Sequence, residues 1–269
     1  MKLGLKGRVA VITGGSKGIG KAIAQAFAAQ GSNLVLLARG KDLLNQAAEQ
    51  IREASGVTVL AIPADITNSD SVNAAAAEAK KQFETIHVVV NNAGGPIRRM
   101  DRQITWSDKE WTEDVDLKLI GMLRVIQAFL PYIAKDGAGR IVDISGVAGS
   151  NVWAPALTHG LNNAAMNQGT AYLAHDLVGD KITVNAVVPG LVGTEAREVW
   201  AENMSKQQGK TKAEFLAEFC RRMGILAGRW ATVEEVADTV LFLASDCGQY
   251  INGAQIVIDG GLSVNARPA

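Results

Sequence analysis

Val9-Ala10-Val11-Ile12 runs straight into Thr13-Gly14-Gly15-Ser16-Lys17-Gly18-Ile19-Gly20. The first four residues read as a buried strand, and the Ala-rich stretch 21–30, closed by Gly31, reads as a helix. The glycines between them have separate uses. Gly14 lets the chain turn sharply out of the strand, Gly18 lets backbone approach a pyrophosphate, and Gly20 lets helix and strand pack closely. The helix start then offers free N–H groups and a positive dipole end to phosphate. A glycine triplet alone is a weak signal; between a strand and a helix it is a strong one for dinucleotide binding.

Outward from this turn the same rhythm repeats. Strand patterns at 34–37, 57–62, 86–90, 140–144, 182–187 and 255–258 alternate with helical patterns at 42–55, 69–83, 111–134, 159–178 and 233–244. Continuous apolar strands separated by helices imply a parallel sheet covered on both faces. The expected fold is therefore α/β: a doubly wound, Rossmann-type, seven-stranded parallel sheet forming a single domain over 1–269. Segment 191–228 breaks the rhythm and carries Trp200, Met204, Phe215, Leu216, Phe219 and Met223 among charges. An insertion at that edge of a parallel sheet is expected to be a helical lid over the substrate.

Composition narrows the function classes. The 269 residues hold 27 basic and 27 acidic side chains, so no long-range attraction draws the chain to nucleic acid or a membrane surface. No apolar run approaches the roughly 18 residues a spanning helix needs, and charges interrupt the first eight residues as in no signal peptide. Two cysteines, Cys220 and Cys247, make neither a disulfide scaffold nor a zinc site. The expectation is a cytoplasmic protein without a metal, acting on a small molecule.

The second strand ends Leu36-Leu37-Ala38-Arg39, placing Arg39 nineteen residues after Gly20. An acidic residue there would hold a ribose 2′-hydroxyl; a cation favours a 2′-phosphate, with Lys17 as a second cation. NADP is the expected cofactor.

The glycine turn, Asp65 after the third strand, Asn91-Asn92-Ala93-Gly94 after the fourth and Pro189-Gly190 after the sixth resemble the short-chain dehydrogenase/reductase family. The closing Ile251-Asn252-Gly253 to Asp259-Gly260-Gly261 fits it too, so the resemblance covers nearly the whole chain. It implies that Asp65, with Ile66, contacts adenine. It implies that Asn91, Ala93 and Gly94 form or support the cofactor loop, and that Pro189, Gly190, Val192 and Thr194 flank the nicotinamide. Ser16 and Ile19 join the glycines around the phosphates. The resemblance further implies a homo-oligomer, a tetramer or dimer, built through the long helices 111–134 and 159–178.

The family's usual catalytic Asn, Ser, Tyr and Lys fall here on Lys118, Gly146, His159 and Asn163. None of the three tyrosines is followed four residues later by a lysine. Two readings stay open. In one, oxidoreductase chemistry on a carbonyl or alcohol persists: His159 is the acid/base, with an ordinary pKa near 6.5; Asn163, one turn on, orients it or holds the ribose; Lys118 polarises the carbonyl; and Ser145 binds substrate. In the other, the protein binds NADP without hydride transfer, as a sensor, an inactive subunit or a non-redox enzyme. Arg98, Arg99 and Arg102 either meet an anionic substrate or form a solvated loop, and Trp153 with Trp200 suggests an apolar pocket. His87 and His175 receive no role.

Overall fold

The computed structural model describes residues 2–95, 102–153 and 156–264. Seven parallel strands lie in the order β3-β2-β1-β4-β5-β6-β7: β1 Val9–Thr13, β2 Asn33–Ala38, β3 Val59–Pro63, β4 Val88–Asn91, β5 Arg140–Ile144, β6 Thr183–Pro189 and β7 Gln255–Ile258. Because side chains alternate across a strand, Ala10, Ile12, Leu34 and Leu36 enter one apolar layer and Val9, Val11, Val35 and Leu37 the other. The helices α1 Gly18–Ala29, α2 Lys41–Ser55 and α9 Val233–Ala244 cover the first layer. The second lies beneath α3 Ser69–Gln82, α5 Gly121–Phe129 and α6 Leu157–Asp176. The doubly wound arrangement is the one expected.

The stretch 111–134, expected as one helix, is more articulated. It begins earlier, at α4 Asp108–Val115, because Ser107 and Glu110 form a reciprocal capping box. A π turn, Asp116–Ile120, then carries the chain into α5. Phe129 ends α5 because Pro131 follows within a 3₁₀ turn, Leu130–Tyr132. The break at 191–228 contains two helices, α7 Glu195–Gln207 and α8 Lys212–Met223. These pack around Trp200, Phe215, Phe219 and Trp230, whose ring centroids lie 5.6–6.2 Å apart in the contacting pairs with Trp200. Trp200 is therefore part of this small aromatic core rather than of an open pocket. His87, left without a role by the sequence, accepts the backbone N–H of Val9 on Nδ1 at 3.1 Å.

Candidate active site

The strand order reverses between β1 and β4, and a crevice opens there at the carboxyl ends of the strands. Thr13, the last residue of β1, holds the two rims together. Its Oγ1 accepts the backbone N–H groups of Asn92 and Ala93 at 2.9 Å each, and its carbonyl accepts from Asn92 Nδ2 at 2.9 Å. Gly14 takes φ +68°, and a Cβ there would stand 2.8 Å from Asn92 Nδ2. At Gly20 a Cβ would stand 2.3 Å from the Gly14 carbonyl oxygen. Both positions thus exclude side chains, and the turn forms a cradle of bare backbone.

The resulting cleft encloses about 860 Å³. Gly14, Ser16, Lys17, Gly18, Ile19 and Gly20 line it, as do Arg39, Asp65, Ile66, Ala93, Gly94, Pro189, Gly190, Val192 and Thr194. Ser145, Lys118 and His159 line it as well. Two expected residues do not. Asn91 is buried behind the rim, its Nδ2 donating to Asp143 Oδ1 at 2.8 Å, while its neighbour Asn92 faces the cleft. Asn163 is fully buried and reaches the cleft only through Lys118. Asp65 spends one oxygen on Thr67, accepting its N–H at 3.0 Å and its hydroxyl at 2.8 Å. Those bonds, then Arg39 and Arg124, hold its pKa below the ordinary value against the opposing effect of burial. Arg98 and Arg99 lie outside the described residues, and Arg102 is exposed away from the cleft. Trp153 lines it; Trp200 does not.

Helix α6 carries the chemistry-bearing end. Its buried face is unusually polar: Asn162, Asn163, Asn167 and Thr170 all point inward. Each finds a partner on another element. Asn162 donates to Asp114 at 3.2 Å, and Asn167 accepts from Ser145 Oγ at 2.6 Å. Thr170 donates to Asp143 Oδ2 at 3.1 Å. Burial raises the Asp143 carboxyl to about 6 despite these two bonds. Asn163 accepts from Lys118 Nζ at 2.5 Å. The amide must present oxygen to Lys118, because an ammonium only donates; its Nδ2 is then left buried without a partner among the described residues. Gly146 makes room for this amide: a Cβ there would stand 3.1 Å from Asn163 Nδ2.

His159 sits in the first turn of α6, whose start is held by Gln103 Oε1 accepting the Thr158 N–H at 3.0 Å. Burial, then the cations Lys118 and Arg197, push its pKa down to about 3, and the positive end of the helix dipole acts in the same sense. At neutral pH the ring is therefore uncharged, and its pKa lies below the ordinary 6.5. Among the described groups that line the cleft, Lys118 is shifted toward neutrality from the other side. Burial pushes it down to about 8, with Asp114 opposing. Lys118 belongs to the π turn, a local widening of a helix often found at functional sites. Arg197, on α7, also lines the cleft and escaped the sequence reading. No local pattern marks it, since its position depends on where α7 packs in the fold.

Fold and cleft define a dinucleotide-binding α/β protein. A family model described as enoyl-(acyl carrier protein) reductase matches residues 14–263. The chain belongs to the short-chain dehydrogenase/reductase family, a class of NAD(P)-dependent oxidoreductases. It is 32% identical to the 3-oxoacyl-(acyl-carrier-protein) reductase FabG of Aquifex aeolicus, over 97% of this chain and all of the relative. It superposes on L-sorbose reductase from Gluconobacter frateurii, solved with NADPH and L-sorbose, with a TM-score of 0.90 and 30% identity, covering 97% and 98% of the two chains. A Pseudomonas aeruginosa short-chain oxidoreductase, NADPH-bound and described as containing an atypical catalytic center, matches with a TM-score of 0.87 and 26% identity over 97% and 98%.

Proposed function

We propose that the protein is an NADPH-dependent reductase of a carbonyl substrate in which Lys118, held by Asn163, is the proton donor. The single observation that carries this is the 2.5 Å bond from Lys118 Nζ to Asn163 Oδ1 beside His159 in the cleft. A Lys118 pKa lowered to about 8 supports the reading.

The cofactor end supports the reading. The glycine turn, packed too tightly at Gly14 and Gly20 for any side chain, lines the cleft at the start of α1 and suits a pyrophosphate. Lys17 and Arg39 line the cleft with no side-chain partner among the described residues, and they suit a 2′-phosphate. NADPH, when bound, supplies the hydride. Lys118 then gives its proton to the oxygen as negative charge develops there, a form of general acid catalysis typically worth 10²–10⁴-fold. The neutral His159 ring orients that oxygen through one hydrogen bond and does not ionise. Asn163 positions Lys118 rather than touching substrate or ribose. Ser145, whose proton is committed to Asn167, offers only lone pairs. NADPH-bound relatives, one with an atypical centre, favour this over cofactor binding without chemistry.

Further parts of the proposal concern the whole chain. Residues 1–269 form a single domain; 191–228 serves as the lid, because Thr194 and Arg197 border the cleft; the protein works as a homo-oligomer. Its two cysteines are unpaired, as suits the cytoplasm.

The test is NADPH oxidation across a panel of ketones, oxoacyl thioesters and sugars. Lys118→Met should lower kcat/KM at least about 100-fold while NADPH affinity stays within about twofold. Protonated Lys118 is the active form, so reduction should decline as pH rises through about 8. Tight NADPH binding with no oxidation of any carbonyl would overturn the proposal.

A further inference from the structure

The substrate end of the cleft holds a cation that the chemistry above does not use. Arg197 lines the cleft in the first turns of α7, half-buried. Other inward-reaching arginines are engaged. Arg52 donates to the Val59 carbonyl, Arg124 to Asp116 and the Ile66 carbonyl, and Arg140 to the carbonyls of Gly137 and Gly139. Arg197 has no hydrogen bond or ion pair among the described residues. The acid beside it in sequence, Glu198, is committed to Lys212. Glu195 lines the cleft but is exposed. Burial lowers the Arg197 pKa, and no acid among the described residues offsets it. Arg197 lines the same cleft as His159, Lys118 and Trp153.

A guanidinium taken partly out of water without a counter-charge is costly. Its planar fork matches the two oxygens of a carboxylate or phosphate. We infer that Arg197 anchors an anionic group of the substrate, so that the substrate is a carbonyl compound bearing a carboxylate or a phosphate ester. This rests on the reductase reading for the carbonyl alone; the anion site stands on Arg197.

The experiment titrates NADP-saturated protein calorimetrically with succinate and with glycerol 3-phosphate, each against its neutral counterpart, succinamide and glycerol. One of the two anions should bind at least tenfold more tightly than its neutral partner, and which one does so separates carboxylate from phosphate. Arg197→Gln should abolish that preference, Arg197→Lys should retain part of it, and His159→Ala should leave it in place. NADPH affinity of Arg197→Gln should stay within twofold. Equal affinity for charged and neutral probes overturns the inference, as does an anion preference that survives in Arg197→Gln. So does a tenfold loss of NADPH affinity in that variant, which would assign the arginine to the cofactor's own phosphates. An Arg197-dependent anion preference in a protein that reduces no carbonyl would sustain the inference while sinking the reductase reading.

Discussion

His159 carries a free-energy consequence separate from catalysis. Its folded pKa is about 3 against an ordinary 6.5. Between those values the unfolded chain binds a proton that the folded one refuses, so stability rises with pH across that window and is lost on acidification. The slope is about 1.4 kcal/mol per pH unit. His159→Phe should therefore lose roughly 2 kcal/mol less than the parent between pH 6.5 and pH 5; urea unfolding at the two pH values measures it. Identical losses would mean that the ring protonates freely in the folded protein. This residue also marks the limit of sequence reading. Register alone brought Lys118, His159 and Ser145 to one cleft, because Ser145 follows β5, His159 opens α6 and Lys118 lies between α4 and α5, elements whose positions the fold dictates. The local environment of these residues was not legible, because burial and neighbouring charge come from other elements: burial, then Lys118 and Arg197, depress His159, and Lys118 donates to Asn163.

Among the elements, the strands were the most legible. All seven appear within about two residues of their expected bounds, since an apolar run between helices can only be a covered strand. Helix interiors were less so. The π turn at Asp116–Ile120 leaves no mark in hydrophobic periodicity, yet it sets the direction of Lys118. Two crossover turns, after β1 and after β2, each bring a free cation to the cleft, Lys17 and Arg39. That pairing is the basis for choosing NADP. Arg39→Asp should raise the Kd for NADPH at least tenfold and leave NADH unchanged or tighter, as read by fluorescence titration. Equal losses for both cofactors would remove Arg39 from the 2′-phosphate.

For the whole molecule, α6 has an unusual distribution of polarity. Asn162, Asn163, Asn167 and Thr170 face the core beside Met166 and Ala174, while Leu157, Leu161 and Tyr172 are 41%, 60% and 67% exposed. These recur at helical spacing and form an apolar stripe on the outer face. Ile120 and Leu123, in and after the π turn, add 36% and 38% exposure nearby in the fold. A stripe of this kind suits a second copy of the chain. Leu161→Glu with Tyr172→Glu should convert the assembly to a smaller species in sedimentation; a parent that already runs as a monomer would exclude the helix as an interface.

The bridge from Lys118 to Asn163 spans the gap between the helix pair α4–α5 and α6. It is short, and one end rests on a helical turn wound looser than its neighbours. An ammonium drawn back from its amide by even an ångström would lose both its anchor and its aim. Whatever presses on the outer faces of these helices would therefore set the spacing of the proposed proton donor. Self-association would act as a clamp on catalysis, and specific activity would fall on dilution in step with the loss of the assembly.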